Sequence, residues 1–411
     1  MNKNIKLAVA GAVLALSATA ANAGIIIPAG DWTLDIGGNV NMYQSYTKQS
    51  GNNAIVGGLV DAGSRNTTAA MGNGLLPNFL SFSGSTRQND LDVSFTISLQ
   101  PSVANNRALT AVTDGGALKA GNGGLNNRQS FITFGDKSWG SIKVGKDLGI
   151  FASDAILSDM TLLGVGAGAT SSGLDAIGRI GSGYIYADWK PQIAYTTPNM
   201  SGFQATVGIS QAWLALASTG GAAITSNANQ ANVAYEGKAS YSYSLNDVTG
   251  KIWVSGISQK QVLTGAFATA DENQAYAGDI GINANVAGLG LTGYYYKGEG
   301  MGTTGQFLNG YAVVGTAARQ RDSDGGYLQA TYVLPFKTKV GVSWGVSNLD
   351  KADGEVGSTM VQSNEMAVVG LYHPLTKHLN LVGEYVNVKS ENHNAQNNEA
   401  QTASLGAILF F

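Results

Sequence analysis

The sequence predicts an all-β fold, a transmembrane antiparallel up-and-down β-barrel of about 16 strands. Three observations predict it. Charged residues make up only 12% of the 411 residues, against roughly a quarter in a typical soluble protein. Apolar and polar residues alternate with a period of two in several segments. The breaks between those segments are alternately short and long, which is typical of a barrel with tight turns at one end and long loops at the other.

The first element is a secretory signal peptide over residues 1–23. Two lysines precede the apolar run Leu7–Leu16, and Ala21–Ala23 has the small residues of a cleavage site. We therefore expect one barrel domain, residues 24–411. Loss of the two lysines takes the formal net charge from −3 to −5. No later apolar run approaches the roughly 18–20 residues of a membrane helix, so the chain must cross a membrane in another way.

The strands are recognised by their alternation. Odd positions of Leu91–Gln100 carry Leu, Val, Phe, Ile and Leu, whereas even positions carry Asp, Ser, Thr, Ser and Gln. The pattern recurs in Phe203–Ser210, Val233–Leu245 and Val340–Ser347. In a membrane barrel the apolar face meets lipid and the polar face meets the lumen. The residues expected on the lipid face include Leu91, Val93, Phe95, Ile97, Val340, Val342, Trp344 and Val346.

The breaks between strands set the topology. Seven short breaks lie at Arg87–Asp90, Asp136–Gly140, Pro198–Gly202, Asn246–Thr249, Gly288–Gly290, Pro335–Lys339 and Pro374–His378. Eight long breaks lie at Thr47–Leu76, Pro101–Asn127, Ala152–Lys190, Leu214–Gln230, Val262–Asn273, Gly302–Asp324, Lys351–Val361 and Asn392–Asn398. They separate 16 strand candidates. Such a sheet closes because lipid cannot satisfy open backbone edges, and a barrel of this size encloses a water-filled lumen.

Composition excludes several classes of function. The chain has 24 Lys and Arg against 27 Asp and Glu, without a basic cluster, so nucleic acid is not expected as a partner. The absence of cysteine excludes disulfides, thiolate metal sites and cysteine nucleophiles. The three histidines, His373, His378 and His393, are interpreted as turn and loop residues rather than metal ligands. We expect no cofactor.

Two enzyme motifs occur in the wrong context. Gly341–Gly345 matches G-x-S-x-G, but Ser343 lies inside a period-two strand rather than at a strand-to-helix turn. Gly140–Lys146 matches a phosphate-binding loop, but Asp147 stands where Ser or Thr is needed and no helix follows. We therefore expect a protein that is not an enzyme.

The order of several motifs resembles the general-diffusion porins of Gram-negative bacteria. Those porins run through an R-x-S-F strand, a G-x-x-x-x-G-R turn, an acidic third loop and a Y-x-S-P-x-x-x-G-F hairpin. Here the chain has R-Q-S-F at Arg128, G-S-I-K-V-G-K at Gly140, G-R-I-G at Gly178 and Y-T-T-P-N-M-S-G-F at Tyr195. The last strand ends in Phe411, similar to the aromatic signal by which the barrel-assembly machinery recognises such proteins.

Two departures from the family pattern affect the pore. The P-E-F-G-G segment common on the third loop is replaced by Thr161–Gly168, and Asn78–Ser81 lacks the arginine often found on the second strand. We therefore expect a pore less strongly polarised than in enteric relatives.

The resemblance implies an outer-membrane porin, a water-filled channel for passive diffusion of ions and small hydrophilic solutes, with periplasmic termini. It implies that the third loop, about residues 152–190, folds inward and narrows the channel. Three acidic and three basic residues would then form the pore constriction: Asp154, Asp159, Asp175, Arg128, Arg179 and Lys143. The alternative is that they are solvated loop and rim charges. Because these charges cancel, we expect weak selectivity, with net charge favouring cations.

The resemblance also implies a homotrimer, in which the second loop, Pro101–Asn127, latches onto a neighbouring subunit. Ile142 and Val144 are expected to point out of the barrel, and Lys146, at the next alternate position, would then point out as well. A lysine ammonium group is unfavourable against bare lipid. Asp114, the only acid in that loop, is the candidate contact for Lys146. The alternative is that Lys146 extends to the lipid headgroups. Outer-membrane lipid and the barrel-assembly machinery are the other expected partners.

Other functions stay open at this point. A substrate-selective channel would have 18 strands or a sugar-stacking aromatic track in its lumen. An outer-membrane enzyme would need a convergent catalytic set, and a secreted β-rich adhesin or solenoid would need a short repeat period. Neither feature is visible in the sequence. Stepwise ohmic current in a planar lipid bilayer would separate a pore from the enzyme and the adhesin.

Overall fold

The computed structural model describes residues 24–60, 67–101, 103, 125–168, 176–213, 216–219, 222–226, 232–265, 271–357 and 359–411. The predicted signal peptide, Asp114 and Asp175 lie outside these ranges. The described helices are α1 (Ser153–Ser158) and a 3-10 helix (Met160–Leu163). Neither has the length and apolar character needed to span a membrane.

All other regular structure in the described ranges is β-strand. In chain order the strands are β1 (Ile25–Ala29), β2 (Trp32–Ser50), β3 (Thr67–Gly72), β4 (Phe79–Gln88), β5 (Leu91–Pro101), β6 (Leu125–Asp136), β7 (Gly140–Leu148), β8 (Trp189–Thr196), β9 (Phe203–Gln211), β10 (Leu216–Thr219), β11 (Ala222–Ser226), β12 (Val233–Leu245), β13 (Val248–Gly265), β14 (Asp271–Val286), β15 (Leu289–Glu299), β16 (Tyr311–Val314), β17 (Ala317–Gln320), β18 (Asp322–Val333), β19 (Lys339–Leu349), β20 (Val361–Pro374), β21 (Leu379–Asn392) and β22 (Asn397–Phe410).

Sixteen of these strands form a closed antiparallel barrel, as the sequence predicts. The barrel closes where β2 pairs with β22, from Asn39 opposite Phe410 to Ser50 opposite Glu399. On its other edge β2 pairs with β4 and then with β3. Strand β1 adds to the start of β2. The hairpin β10–β11 pairs with the end of β13, and β16–β17 forms a separate two-stranded sheet.

The seven predicted short breaks all fall at tight connections between consecutive barrel strands. The long connections differ more in their bounds. The connection between β7 and β8 spans 149–188 rather than 152–190. Strands β2 and β13 continue to Ser50 and Gly265, past the predicted break starts, because their ends stay paired with β22 and β14 or the β10–β11 hairpin.

The two-sided alternation of the strands is confirmed. On the predicted lipid face, Ile97, Val342 and Trp344 are 45%, 54% and 46% exposed. On the lumen face, Ser94 and Ser343 are 7% and 6% exposed. The apolar residues therefore point out of the barrel, where lipid covers them, and the small polar residues point inward.

This register predicts opposite effects for arginine on the two faces of β5. Ile97→Arg places a charge against lipid and is expected to destabilise the barrel by roughly 2–4 kcal/mol near the membrane midplane. Ser94→Arg, which points into the lumen, is expected to be tolerated. Urea-dependent folding into lipid vesicles measures both. Equal folding of the two variants would show that the membrane face is assigned wrongly.

One side of the barrel interior is filled by large side chains. Trp253 on β13, Tyr296 on β15 and Tyr327 on β18 point inward and are almost fully buried. They belong to a core that also contains Phe151, Tyr184 and Phe307 from the long connections. The lumen is therefore narrowed on this side by packed aromatic residues.

Candidate functional site

The connection between β7 and β8, residues 149–188, is called the third loop. Its described residues, 149–168 and 176–188, bond to inward side chains on several separate strands. These partners include Glu236 on β12, Gln329 on β18, Ser343 on β19 and Glu384 on β21. Because these strands stand at different places around a closed sheet, we infer that the loop runs through the barrel interior. The bonds support the inward fold that the resemblance implies.

The start of the third loop is held by a buried ion pair. Glu236 Oε2 accepts the backbone N–H groups of Ile150 and Phe151, each at 2.9 Å. Its Oε1 accepts Lys190 Nζ at 2.5 Å and Ser210 Oγ at 2.7 Å. The side chains of Lys190 and Glu236 are each 1% exposed. One carboxylate oxygen thus holds the loop backbone, while the other is held by side chains of the barrel strands β8 and β9.

A second wall carboxylate holds the middle of the loop. Glu384 Oε2 accepts the backbone N–H groups of Val165 at 2.7 Å and Gly166 at 2.9 Å. Its Oε1 accepts the hydroxyl of Tyr372 at 2.6 Å. Within the part of the chain that the structure describes, Glu384 forms no ion pair with a lysine or arginine. The loop's own backbone therefore supplies two of its three hydrogen bonds.

Arg179 and Asp159, both predicted constriction residues, are buried anchors of the third loop. The Arg179 guanidinium donates to Ser343 Oγ at 2.7 Å and to the Met366 carbonyl at 3.0 Å. Asp159 caps the 3-10 helix by accepting from Thr161 and also accepts the Tyr184 hydroxyl at 3.0 Å. Arg179 is 0% exposed and Asp159 is 3% exposed.

A second inward segment, residues 300–310, packs against the third loop. The Tyr186 N–H donates to the Thr304 carbonyl at 2.8 Å, and Gln306 Oε1 accepts Lys190 Nζ at 2.9 Å. Arg321 holds the other end of the segment in place. Its guanidinium donates to the Asn309 carbonyl at 2.8 Å and forms an ion pair with Glu355. Lys190 thus bonds both to this segment and to Glu236, the carboxylate that holds the start of the third loop.

A cavity of about 630 Å³ lies beside the third loop, towards the short-turn end of the barrel. Its wall includes Ser141, Gln204 and Thr331 from the barrel strands and Leu157 from the loop. Its charged lining residues are Lys143, Asp147, Asp154, Asp159, Lys238, Lys251 and Lys339. The lining therefore mixes both signs of charge with neutral hydrogen-bonding groups.

Three ion pairs organise this lining. Asp154, on α1, pairs with Lys238 at 2.9 Å and with Lys251 at 2.5 Å. Lys143 pairs with Asp147 on the same strand. Burial would raise the pKa of Asp154, but the ammonium charges of Lys238 and Lys251 reverse that effect and lower it. Asp154 therefore stays ionised and ties the loop to β12 and β13.

The other predicted residues lie elsewhere. Arg128 is half-buried on β6, next to a β-bulge, and its backbone N–H donates to Gln100. Burial raises the pKa of Asp188, at the end of the third loop, to about 6, and Arg128 is one of the cations that oppose this rise.

The predicted oligomer contact and assembly signal lie on the barrel wall. Lys146 points outward like Val144, and its Nζ donates to the Asn127 carbonyl at 3.0 Å. Phe411 exchanges two backbone hydrogen bonds with Gly38.

The structure thus brings Lys143, Asp154 and Asp159 to one cavity. It adds Lys238, Lys251 and Lys339 to that cavity and Glu236 and Glu384 behind the loop, which the sequence analysis did not select. A charged residue at a lumen-facing position of a strand is the signal that could have found them. No group of three or more His, Asp or Glu that could hold a metal ion occurs in the described ranges.

The profile of the Gram-negative porin family matches residues 8–393 of this sequence. The chain belongs to the Gram-negative porin family. This confirms the predicted resemblance, and with the 16-stranded barrel it makes the protein an outer-membrane channel for the passive diffusion of small solutes. Among proteins of curated function, none matches the sequence significantly.

Several solved structures resemble this porin in fold. The outer-membrane channel DcaP of Acinetobacter baumannii has a TM-score of 0.70 at 18% identity, over 95% of this chain and 100% of that chain. An anion-selective porin from Comamonas acidovorans has a TM-score of 0.57 at 14% identity, over 92% and 100%. A trimer form of OmpT from Vibrio cholerae has a TM-score of 0.52 at 10% identity, over 92% and 99%. At these identities the likeness concerns the fold.

Proposed function

We propose that solutes pass through the cavity beside the third loop, and that this porin is a general-diffusion channel rather than one selective for a single substrate. The supporting observation is the lining itself. Charged side chains of both signs alternate with neutral groups such as Asn283, Gln329 and Thr331. Such a wall offers hydrogen bonds to many hydrophilic solutes without enclosing any one of them.

We propose that the predicted constriction residues act in different ways, according to how far each lies from the solute path. Lys143 and Asp154 line the cavity and act on permeating ions directly. Asp159 and Arg179 act by holding the third loop in place. Arg128 acts at the rim through its charge. Asp175 stays a prediction, since it lies outside the described residues.

Electrical recording and solute uptake test this function together. Purified porin in a planar bilayer is expected to give stepwise ohmic current in KCl. Liposomes containing it are expected to swell at rates that fall smoothly with the size of uncharged sugars. A complete absence of current steps would overturn the channel proposal. Saturable uptake of one sugar, out of line with its size, would favour the substrate-selective alternative instead.

We further propose that the porin is a homotrimer in the outer membrane, with its termini in the periplasm and Phe411 serving as the assembly signal. The support is Lys146, whose outward ammonium is unfavourable against lipid and has the Asn127 carbonyl as its described acceptor. A neighbouring subunit at this face would shield it.

Chemical crosslinking in native outer membranes tests the assembly. We expect trimers for the natural chain and a reduced trimer yield for Lys146→Met. Monomers alone would end the trimer proposal. An unchanged oligomer on Asp114→Asn would leave the trimer but remove the predicted contact with the second loop.

A further inference from the structure

The charges around the cavity are not equally exposed to it. In the pair between Lys143 and Asp147 the lysine side chain is 29% exposed and the aspartate 1%. Lys238 and Lys251 are 22% and 30% exposed, whereas Asp154, which pairs with both, is 8% exposed. In each pair the aspartate is the less exposed partner. Water in the cavity therefore meets lysines first.

A fourth lysine adds to this surface. Lys339 Nζ lies 4.9 Å from the centre of the Tyr372 ring and forms no ion pair with any residue that the structure describes. Glu384, which accepts the hydroxyl of the same Tyr372, gives its other bonds to the loop backbone. Asp159, the remaining acid of the lining, is committed to Thr161 and Tyr184.

This arrangement has a physical consequence for solutes. Field lines focus in a cleft with low-dielectric walls, so the charges nearest the water dominate the local potential. Ammonium groups also make charge-assisted hydrogen bonds to oxyanions. Asp154 already shows the pairing, because one of its oxygens accepts a hydrogen bond from Lys251 and the other lies 2.9 Å from the Lys238 ammonium. A solute carboxylate or phosphate presents the same acceptor atoms.

On the basis of the proposed diffusion path, we propose that Lys143, Lys238, Lys251 and Lys339 form a transient binding site for small oxyanions, that is, carboxylates, phosphate or sulfate. The channel then passes anions in preference to cations. This preference is opposite to the one that the net charge of the chain suggests, because the net charge describes the whole surface and not the lining of the path.

Two recordings on the full-length porin test the site. In a tenfold KCl gradient the zero-current potential is expected on the anion-selective side. Inorganic phosphate added at constant ionic strength is expected to reduce the chloride current in a saturable manner. Lys251→Met is expected to move the zero-current potential toward cations and to weaken the phosphate effect several-fold. Asp154→Asn, which removes a withdrawn carboxylate, is expected to increase anion preference.

Lys260→Met is the matched control, because Lys260 lies on the same strand as Lys251 with the opposite parity and pairs with the exposed Glu272. It is expected to behave as the natural chain. Normal current steps with cation selectivity, or a phosphate effect that Lys251→Met leaves unchanged, would overturn the anion site while leaving the channel intact. Absence of any current step in KCl would overturn the diffusion path and the anion site together.

Discussion

Glu384→Leu is expected to release the middle of the third loop from the barrel wall and to raise the single-channel conductance. The substitution leaves the buried N–H groups of Val165 and Gly166 and the hydroxyl of Tyr372 without their acceptor. Each such orphaned group costs about 1–3 kcal/mol, so the two loop N–H groups alone cost the inward position of the loop about 2 kcal/mol or more. The loop then samples positions away from β21, and the lumen widens.

Single-channel recording in KCl measures this effect as larger conductance steps with more current noise. Glu384→Gln is the matched control, because the amide oxygen can still accept from the two loop N–H groups and its NH₂ group can donate to the Tyr372 oxygen. Its conductance is expected to stay close to that of the natural chain. If folded Glu384→Leu conducts as the natural chain does, Glu384 does not hold the loop.

Lys190→Met is expected to destabilise the barrel more than any surface substitution. It leaves the Glu236 carboxylate, 1% exposed, without its counter-ion, and it removes the donor to Gln306. Removing one partner of a buried ion pair typically costs about 3–5 kcal/mol, because the remaining charge is uncompensated. Both inward segments depend on this lysine, so the damage extends beyond one loop.

The temperature at which the folded barrel loses its fast migration on a denaturing gel measures this loss, and it is expected to fall markedly for Lys190→Met. The double variant Lys190→Met/Glu236→Gln removes the isolated charge but keeps an acceptor for Ile150 and Phe151. It is expected to recover most of the loss. If Lys190→Met is as heat-resistant as the natural chain, the ion pair between Lys190 and Glu236 does not stabilise the barrel.

The sequence predicts the barrel wall well, because lipid on one face and water on the other require apolar and polar residues to alternate along each strand. The alternation of β5 gives the register in which Ile97 faces lipid and Ser94 faces the lumen, and short breaks such as Asp136–Gly140 mark the turns. These properties depend on neighbours in sequence or on the adjacent strand. They therefore require no knowledge of the loops.

The interior is harder to predict, since its contacts join residues far apart in the chain. Alternation shows that Glu236 and Glu384 face the lumen, but only the path of the third loop decides which backbone groups they meet. Arg179 follows a family motif and is predicted at the pore wall, whereas the structure buries it against Ser343 and Met366. Residues 302–310 fall in the predicted long break Gly302–Asp324, and alternation gives no sign of the contact that Gln306 makes with the third loop.

The most direct test of the solute path uses the absence of native cysteine in this chain. Ser240→Cys places one thiol in the cavity lining, and Ser138→Cys places one in the exposed turn between β6 and β7, outside that lining. A water-soluble, positively charged thiol reagent is added during single-channel recording of each variant. The conductance of Ser240→Cys is expected to drop in a single irreversible step, while that of Ser138→Cys stays constant. Full, unchanged current through Ser240→Cys after its complete modification would contradict a path through this cavity.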